Sequence, residues 1–235
     1  LVVKTNALSN QYNAVDAETL PNMGAGTRMT WDRARQSLRV GKVDVFPALW
    51  DNASVGFGST VIGEDCGASG SYSIATGLHS YAPQYGVSAR ASGSFTSLGD
   101  AQKIEYLLRC SNSSSSADCD LTTDGLFSDI PRVPAGASWT FQISLVGRSS
   151  AFPSEYHSEY IVAGCDCDNT GILTFSSMIT STIYSTFGTT PSSVALLVNP
   201  PNGFTIRCTS GITLGNIIPA KWFATLTVSQ VINLP

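Results

Sequence analysis

Charge is what this chain has least of. Asp, Glu, Lys and Arg make up 13% of its 235 residues and the formal net charge is −4, so the surface is polar without being strongly ionic. Beyond residue 50 it carries seven Lys/Arg against thirteen Asp/Glu, and only residues 1–50 reverse the balance, with six against four. That distribution excludes a basic field for nucleic acid. Long apolar runs are missing as well. The longest, "VALLV" at 194–198, falls far short of the ~20 residues that span a bilayer. No signal peptide is visible, and an opening leucine in place of methionine reads as a piece of something longer.

Histidine occurs only twice, and six cysteines in a chain of this length are too few for a disulfide scaffold. No Gly-x-Ser-x-Gly elbow, Walker loop or His-Glu-x-x-His is present, so neither an enzyme nor a cofactor is expected. Aromatic residues nevertheless reach 9%. That share, with so low a net charge, argues for an ordered chain.

What is abundant is glycine, serine and alanine in register. Gly56, Gly63, Gly70 and Gly77 fall seven apart; after a two-residue insertion Gly86 and Gly93 resume the step, with Gly99 one residue early. The third residue after each glycine is Ser59, Cys66, Ser73, Ser80, Ala89 and Thr96, and the fifth is Val61, Ala68, Ala75, Ala82, Ala91 and Leu98. In an extended chain both positions point to one face. A narrow coil of short strands is expected over residues 51–100, its interior lined by small side chains and its corners made by glycine. Tyr72, Ile74, His79, Tyr81, Ser88, Arg90 and Phe95 then face outward. So thin a coil cannot bury enough apolar surface alone, and copies around a threefold axis are its expected cover. A flexible Gly/Ser linker has no reason to keep such register.

Residues 1–50 show no clear period; "TWDRARQSLRVG" reads equally as a short helix or a strand pair. From about Ala101 onward, runs such as "KIEYLLRC", "SWTFQISLVG" and "KWFATLTVSQVI" are rich in β-branched and aromatic residues and bounded by turn formers. Eight or so strands over residues 101–235 indicate a β-sandwich, jelly-roll-like domain. The expected fold class is all-β, with segments 1–50, 51–100 and 101–235.

Units such as "SGSYSIATG" and "GVSARASGSF" resemble the β-roll repeats of trimeric autotransporter adhesin heads, and more closely those of phage and virus tail-fibre proteins. The flanks favour the second. "RQSLRVGKVDVFPALWDNASVGFGST" is similar to the fibre pattern in which Leu-Arg-x-Gly and Trp-Asp precede the first repeat. Gly99 to Gln102, "GDAQ", is similar to the junction that ends the roll and opens a terminal domain. "GLFSDIPRVPAGASWTFQISLVGR" continues the likeness, which covers roughly residues 30–235; the "PQY" insertion at 83–85 and the cysteines depart from it. The resemblance implies a homotrimer on a virion fibre or tail tip, joined to the rest of the fibre on its N-terminal side. Its C-terminal knob would bind a host cell-surface receptor, a glycan in the first instance. The rival readings are a structural virion protein that binds nothing and an autotransporter adhesin head.

Candidate chemistry is sparse. The loops "NPPNGF" and "DCDNTG" have the composition of carbohydrate-recognition loops, which makes Asn199, Asn202, Phe204, Asp166, Asp168 and Asn169 the expected receptor-binding residues. Cys165 and Cys167 form a C-x-C, read as a strand end rather than as a metal site. Cys110 and Cys119 bracket a Ser-rich loop that a disulfide would staple; all six cysteines as free thiols is the other reading. His79 is expected on the coil's outer face, packed or hydrogen-bonded, although three copies on an axis could hold an ion. Glu155, His157 and Glu159 share one face of a strand, expected to be a solvent-facing polar stripe. Asp118, Asp120 and Asp124 are the nearest thing to the carboxylate pair of a glycosidase, but lack an aromatic platform. Asn52 and Asn112 lie in N-x-S sequons, and Trp139 and Trp222 are expected in the core.

Overall fold

The computed structural model describes residues 24–113, 116–126, 129–151, 155–176, 178–186, 193–199, 202–210, 212–213, 216–217 and 219–232. Residues 1–23 of the N-terminal segment, and Pro200 and Pro201 of the "NPPNGF" loop, lie outside them. The chain is all-β and divides into two units, Leu1–Ile104 and Glu105–Pro235.

In the first unit "TWDRARQSLRVG" is a strand pair. β1 (Gly26–Asp32) and β2 (Ser37–Val43) run antiparallel, joined at a turn where Asp32 accepts the Arg35 amide. The chain then stacks β3 (Thr60–Glu64), β4 (Ile74–Leu78) and β5 (Ser88–Ser92) in parallel on β2, in the register Leu38–Thr60–Ile74–Ser88. The step from β3 to β4 and from β4 to β5 is fourteen residues, two sequence repeats. A second line of contact, the parallel bridge between Gly67 and Tyr81, keeps the same step.

This register corrects the expected role of the glycines. A β-carbon on Gly56 would overlap the carbonyl oxygen of Gly70, and one on Gly70 that of Gln84. The same holds for Gly41 against Gly63, Gly63 against Gly77, and Gly77 against Ala91. These glycines exist because the backbone of the next turn, fourteen residues on for all but Gly41, lies against their Cα. Only Gln84 and Ala91, which end the two columns, carry side chains. The corners lie elsewhere: Gly58, Asp65, Tyr72, His79 and Gly86 all take left-handed φ of 47–66°, at an unbroken spacing of seven. Gly86 therefore belongs to the corner series, and there is no insertion at 83–85; glycine has moved from one site of the repeat to another. Asp65, Tyr72 and His79 adopt a conformation that costs a side-chain-bearing residue about 1–2 kcal/mol.

The interior holds Ser59, Val61, Cys66, Ala68, Ser73, Ala75, Ser80 and Ala82, each fully buried, followed by Val87 and Ala89. Val87 takes the slot of Ser73 one turn on. Thr96 is exposed and Leu98 only half-buried, so the last sequence repeat does not continue the stack. Ser59 and Ser73 donate their hydroxyls to the carbonyls of Gly56 and Gly70 at 2.6 and 2.7 Å. Arg39 lies buried in the same register column as Val61, and its guanidinium donates to the Ser59 carbonyl, the Ser59 hydroxyl and the Ala68 carbonyl. Burial pulls its pKa down to about 10 against the raising influence of Asp32, which still leaves it charged at neutral pH.

Two carboxylates hold the irregular ends. Asp65 accepts the amides of Asp44, Val45 and Phe46, and Asp100 those of Phe95, Thr96 and Ser97. Gln102 clamps Tyr81, accepting its amide at 2.9 Å and donating to its carbonyl at 3.1 Å. Trp50 Nε1 donates to the Cys66 carbonyl at 3.0 Å. Gly-Asp-Ala-Gln, Leu-Arg-x-Gly and Trp-Asp thus terminate and seat the stack. Burial acts to raise the pKa of Asp65 and of Asp100, but the converging amides outweigh it and hold both below the ordinary carboxylate range. A depressed folded-state pKa contributes stability above the unfolded value near 3.9, lost as pH falls through the folded value. Thermal stability is therefore expected to fall on acidification below about pH 4. Asp100→Asn should lower the neutral plateau and flatten that acid limb; a melting-temperature profile with unchanged slope in the variant would refute the assignment.

The described residues of the second unit contribute strands to three sheets. β6 (Ala101–Ser111), β16 (Ala220–Ile232), β8 (Ala137–Ser149), β9 (Tyr156–Cys167) and β10 (Leu173–Phe175) follow one another in that order; β11 (Ile179–Ser185) also pairs with β9. The smaller sheet is β12 (Ser193–Asn199), β13 (Gly203–Thr209) and β7 (Asp118–Leu121), and β14 (Ile212–Thr213) pairs with β15 (Asn216–Ile217). β8 and β16 alternate buried and exposed residues along most of their length, which is the period-two pattern of a sheet packed on one side. Trp139 and Trp222 are buried, and Trp139 Nε1 donates to Gln230 at 2.8 Å. Phe141 stacks on Phe204 of the smaller sheet at 5.4 Å, with Trp139 and Phe175 edge-on to the same ring. Cys110 and Cys119 form a disulfide, while Cys66, Cys165, Cys167 and Cys208 are buried free thiols. The all-thiol reading is thereby replaced by the staple.

Candidate functional site

The six residues expected to bind a receptor divide by burial. Phe204 is fully buried among Trp139, Phe141 and Phe175 and cannot touch a ligand. It follows Gly203, the β13 residue paired with Asn199, and its ring faces the main sheet. Asn202 is half-buried; its Nδ2 donates to the Val133 carbonyl at 2.8 Å and its own carbonyl accepts the Val133 amide. Asp168 is exposed but folds its own turn, its Oδ1 accepting the Thr170 amide and hydroxyl and the Ile172 amide. Those bonds, the Ile172 amide foremost, lower its pKa. Asp166, Asn169 and Asn199 are exposed. Both loops meet one segment: Val133 bonds Asn202, and the Gly136 amide donates to the Asp168 carbonyl at 3.2 Å. The structure thus brings the two loops to opposite ends of residues 133–136 and leaves four of the six residues exposed, Asp168 among them with its carboxylate engaged in its own turn.

The other chemical candidates are absorbed by the fold. Asp120 accepts a two-pronged bond from Arg207 at 2.7 and 3.0 Å, and Asp118 accepts the Thr209 hydroxyl. Cys165 and Cys167 face inward from the end of β9; burial pushes both thiols up, Cys165 to about 12. Both are therefore protonated at neutral pH. Among the described residues no group of three or more His, Cys, Asp or Glu side chains is placed to hold a metal. His79 is packed and hydrogen-bonded: Nδ1 lies 2.6 Å from the Ser94 hydroxyl and its ring is edge-on to Phe46. Asn52 and Asn112, the sequon residues, bond Arg35 and Ser210.

His157 requires a correction. Glu155, His157 and Glu159 do share a face, but it is the inner one. His157 and Glu159 are buried, Nε2 to Oε2 is 3.0 Å, and the imidazole is edge-on to Trp222. The opposite face of β9, with Tyr156 and Tyr160, points to solvent. It continues across the neighbouring strands as Lys221, Arg148 and Tyr156 in one register row, and Phe223, Val146, Ser158 and Tyr184 in the next. Tyr156 and Tyr184 stack with ring centroids 4.6 Å apart and an interplanar angle of 18°. The sequence reading missed this surface, because its members come from four strands between residues 146 and 223. The only local signal was the alternation of tyrosines with Glu and His in "SEYHSEY".

No protein-family model and no curated protein matches the chain. Solved structures similar to it include the tailspike protein of Acinetobacter baumannii phage AM24 (TM-score 0.31, 11% identity, 75% of this chain and 34% of that one). Another is tailspike protein gp49 of the Acinetobacter baumannii bacteriophage Fri1, a capsular polysaccharide depolymerase (TM-score 0.29, 10% identity, 75% and 29%). The chain spans about a third of the length of each. Likeness at this level transfers neither fold nor activity.

Proposed function

We propose that this chain is a distal part of a phage or viral fibre: a homotrimeric β-roll over residues 51–100 carrying a β-sandwich knob over 101–235 that attaches to a host-surface glycan. The observation that carries the reading is the first unit's stack. Its interior is lined mainly by small side chains, and several large apolar residues are turned outward. Met29, Trp31, Ile62 and Ile74 are exposed on one sheet face, and Leu38 and Val40 lie half-buried between them. A contiguous apolar face of this kind marks an interaction surface, and copies of the same chain supply an identical partner. The sequence resemblance to tail-fibre proteins at "RQSLRVG", "LWD" and "GDAQ" points the same way. Loops on a rigid β scaffold are where binding commonly lies, and three identical knobs turn weak single-site affinity into avidity.

Light scattering should give three times the 24.8 kDa chain mass, unchanged on dilution. Labelled full chain should bind a subset of bacterial or cell types and be displaced by their shed surface polysaccharide only at high concentration. A folded monomer at micromolar concentration, or binding to no cell type, refutes the proposal. Deleting residues 1–50 is no neutral truncation, since Arg39, Gly41 and Trp50 seat the first turn.

A further inference from the structure

We infer that the outer face of the sheet β16–β8–β9–β11 binds a carboxylate-bearing polysaccharide. The inference rests on the attachment reading and gives it a place and a ligand class. It starts from charge. Lys221 and Arg148 stand directly opposite one another across β16 and β8, both exposed. They are also two of only five cations in the second unit (with Arg109, Arg132 and Arg207), against nine carboxylates. Yet the outward residues of β16, β8, β9 and β11 include no Asp or Glu until Asp166 at the far end of β9. An acidic unit that clears one face of carboxylates and places two cations side by side on it has made an anion site.

The aromatic residues define what kind of anion. Tyr156 follows Arg148 in the same register row, with its ring stacked on Tyr184. Both are more than 40% exposed, and Tyr160 and Phe223 stand nearby on the same face. Tyrosine offers an apolar ring for the C–H face of a sugar and a hydroxyl for its oxygens. Stacking Tyr156 on Tyr184 limits the rotamer freedom that binding would otherwise remove. From Lys221 to the β11 side is three strand spacings, roughly 14 Å, which suits a short run of sugar rings with acidic groups at one end. A small anion would have no use for the tyrosines, and a neutral glycan none for the opposed cations.

The test uses the full chain on immobilised colominic acid, hyaluronan and alginate, with neutral dextran as reference. Binding to at least one acidic polymer and not to dextran is expected, weakening as salt rises. Arg148→Gln with Lys221→Gln should cost at least about tenfold in affinity, since a hydrogen bond to a charged group contributes about 1.5–3 kcal/mol. Tyr156→Ala should do the same and Tyr156→Phe should not, all with melting temperatures unchanged. Equal binding to dextran, unchanged binding by the double variant, or no acidic polymer bound overturns the inference; the last is also the result if a second copy covers this face. A double variant that still attaches to cells like wild type removes this site and leaves the attachment reading standing. Wild-type protein that attaches to no cell type removes the attachment reading itself.

Discussion

Gly70→Ala should destabilise the first unit by about 3 kcal/mol or more, lowering its melting temperature by roughly 12 °C or more. The added methyl would overlap the carbonyl of Gln84, backbone of the next turn that accepts the Val87 amide, two residues before the Gly86 amide that donates to the Ser71 carbonyl. No rotamer change relieves such a clash; the turns must separate. Gln84→Ala, one step along the same column, should cost far less, because that position already carries a β-carbon. The pair isolates close approach from any general glycine effect, since Gly70 lies outside the positive-φ set. Thermal unfolding followed by circular dichroism decides it: Gly70→Ala melting within about 2 °C of wild type would mean that the turns are not stacked at a fourteen-residue step.

Phe204→Ala should cost the second unit about 3–5 kcal/mol, the usual range for emptying a ring from a close-packed core. Phe204 is the point where the two sheets share aromatic contacts, touching Phe141, Trp139 and Phe175. Asn199→Ala, five residues earlier and exposed, should stay within about 0.5 kcal/mol. Denaturant titration of both variants separates a core residue from a loop residue. If Phe204→Ala unfolds at the wild-type midpoint while losing attachment, the ring is a ligand contact and its burial is wrong.

Much of this protein was legible in its residues. The all-β class follows from turn-bounded runs of β-branched and aromatic residues, and the small-side-chain interior of residues 59–82 from period-two alternation, because both are local properties of an extended chain. The same alternation in "SEYHSEY" separated Glu155, His157 and Glu159 from Tyr156, Ser158 and Tyr160. It could not say which set faces inward. That was decided by Trp222 of β16, some sixty residues away, which packs against the imidazole. Likewise the spacing of seven was plain, but not that one turn takes two repeats. Without that step the glycines looked like corners, and Asp65, Tyr72 and His79, which do turn the chain, looked like ordinary outward residues. Gly86 then appeared two places late, although it sits on time in the corner series. The face of Arg148, Lys221, Tyr156 and Tyr184 had no sequence signature at all: its members become neighbours only through the strand order of the sheet. A sequence carries the period of each element, whereas contact between strands distant along the chain, which decides burial and close approach, exists only once they are paired.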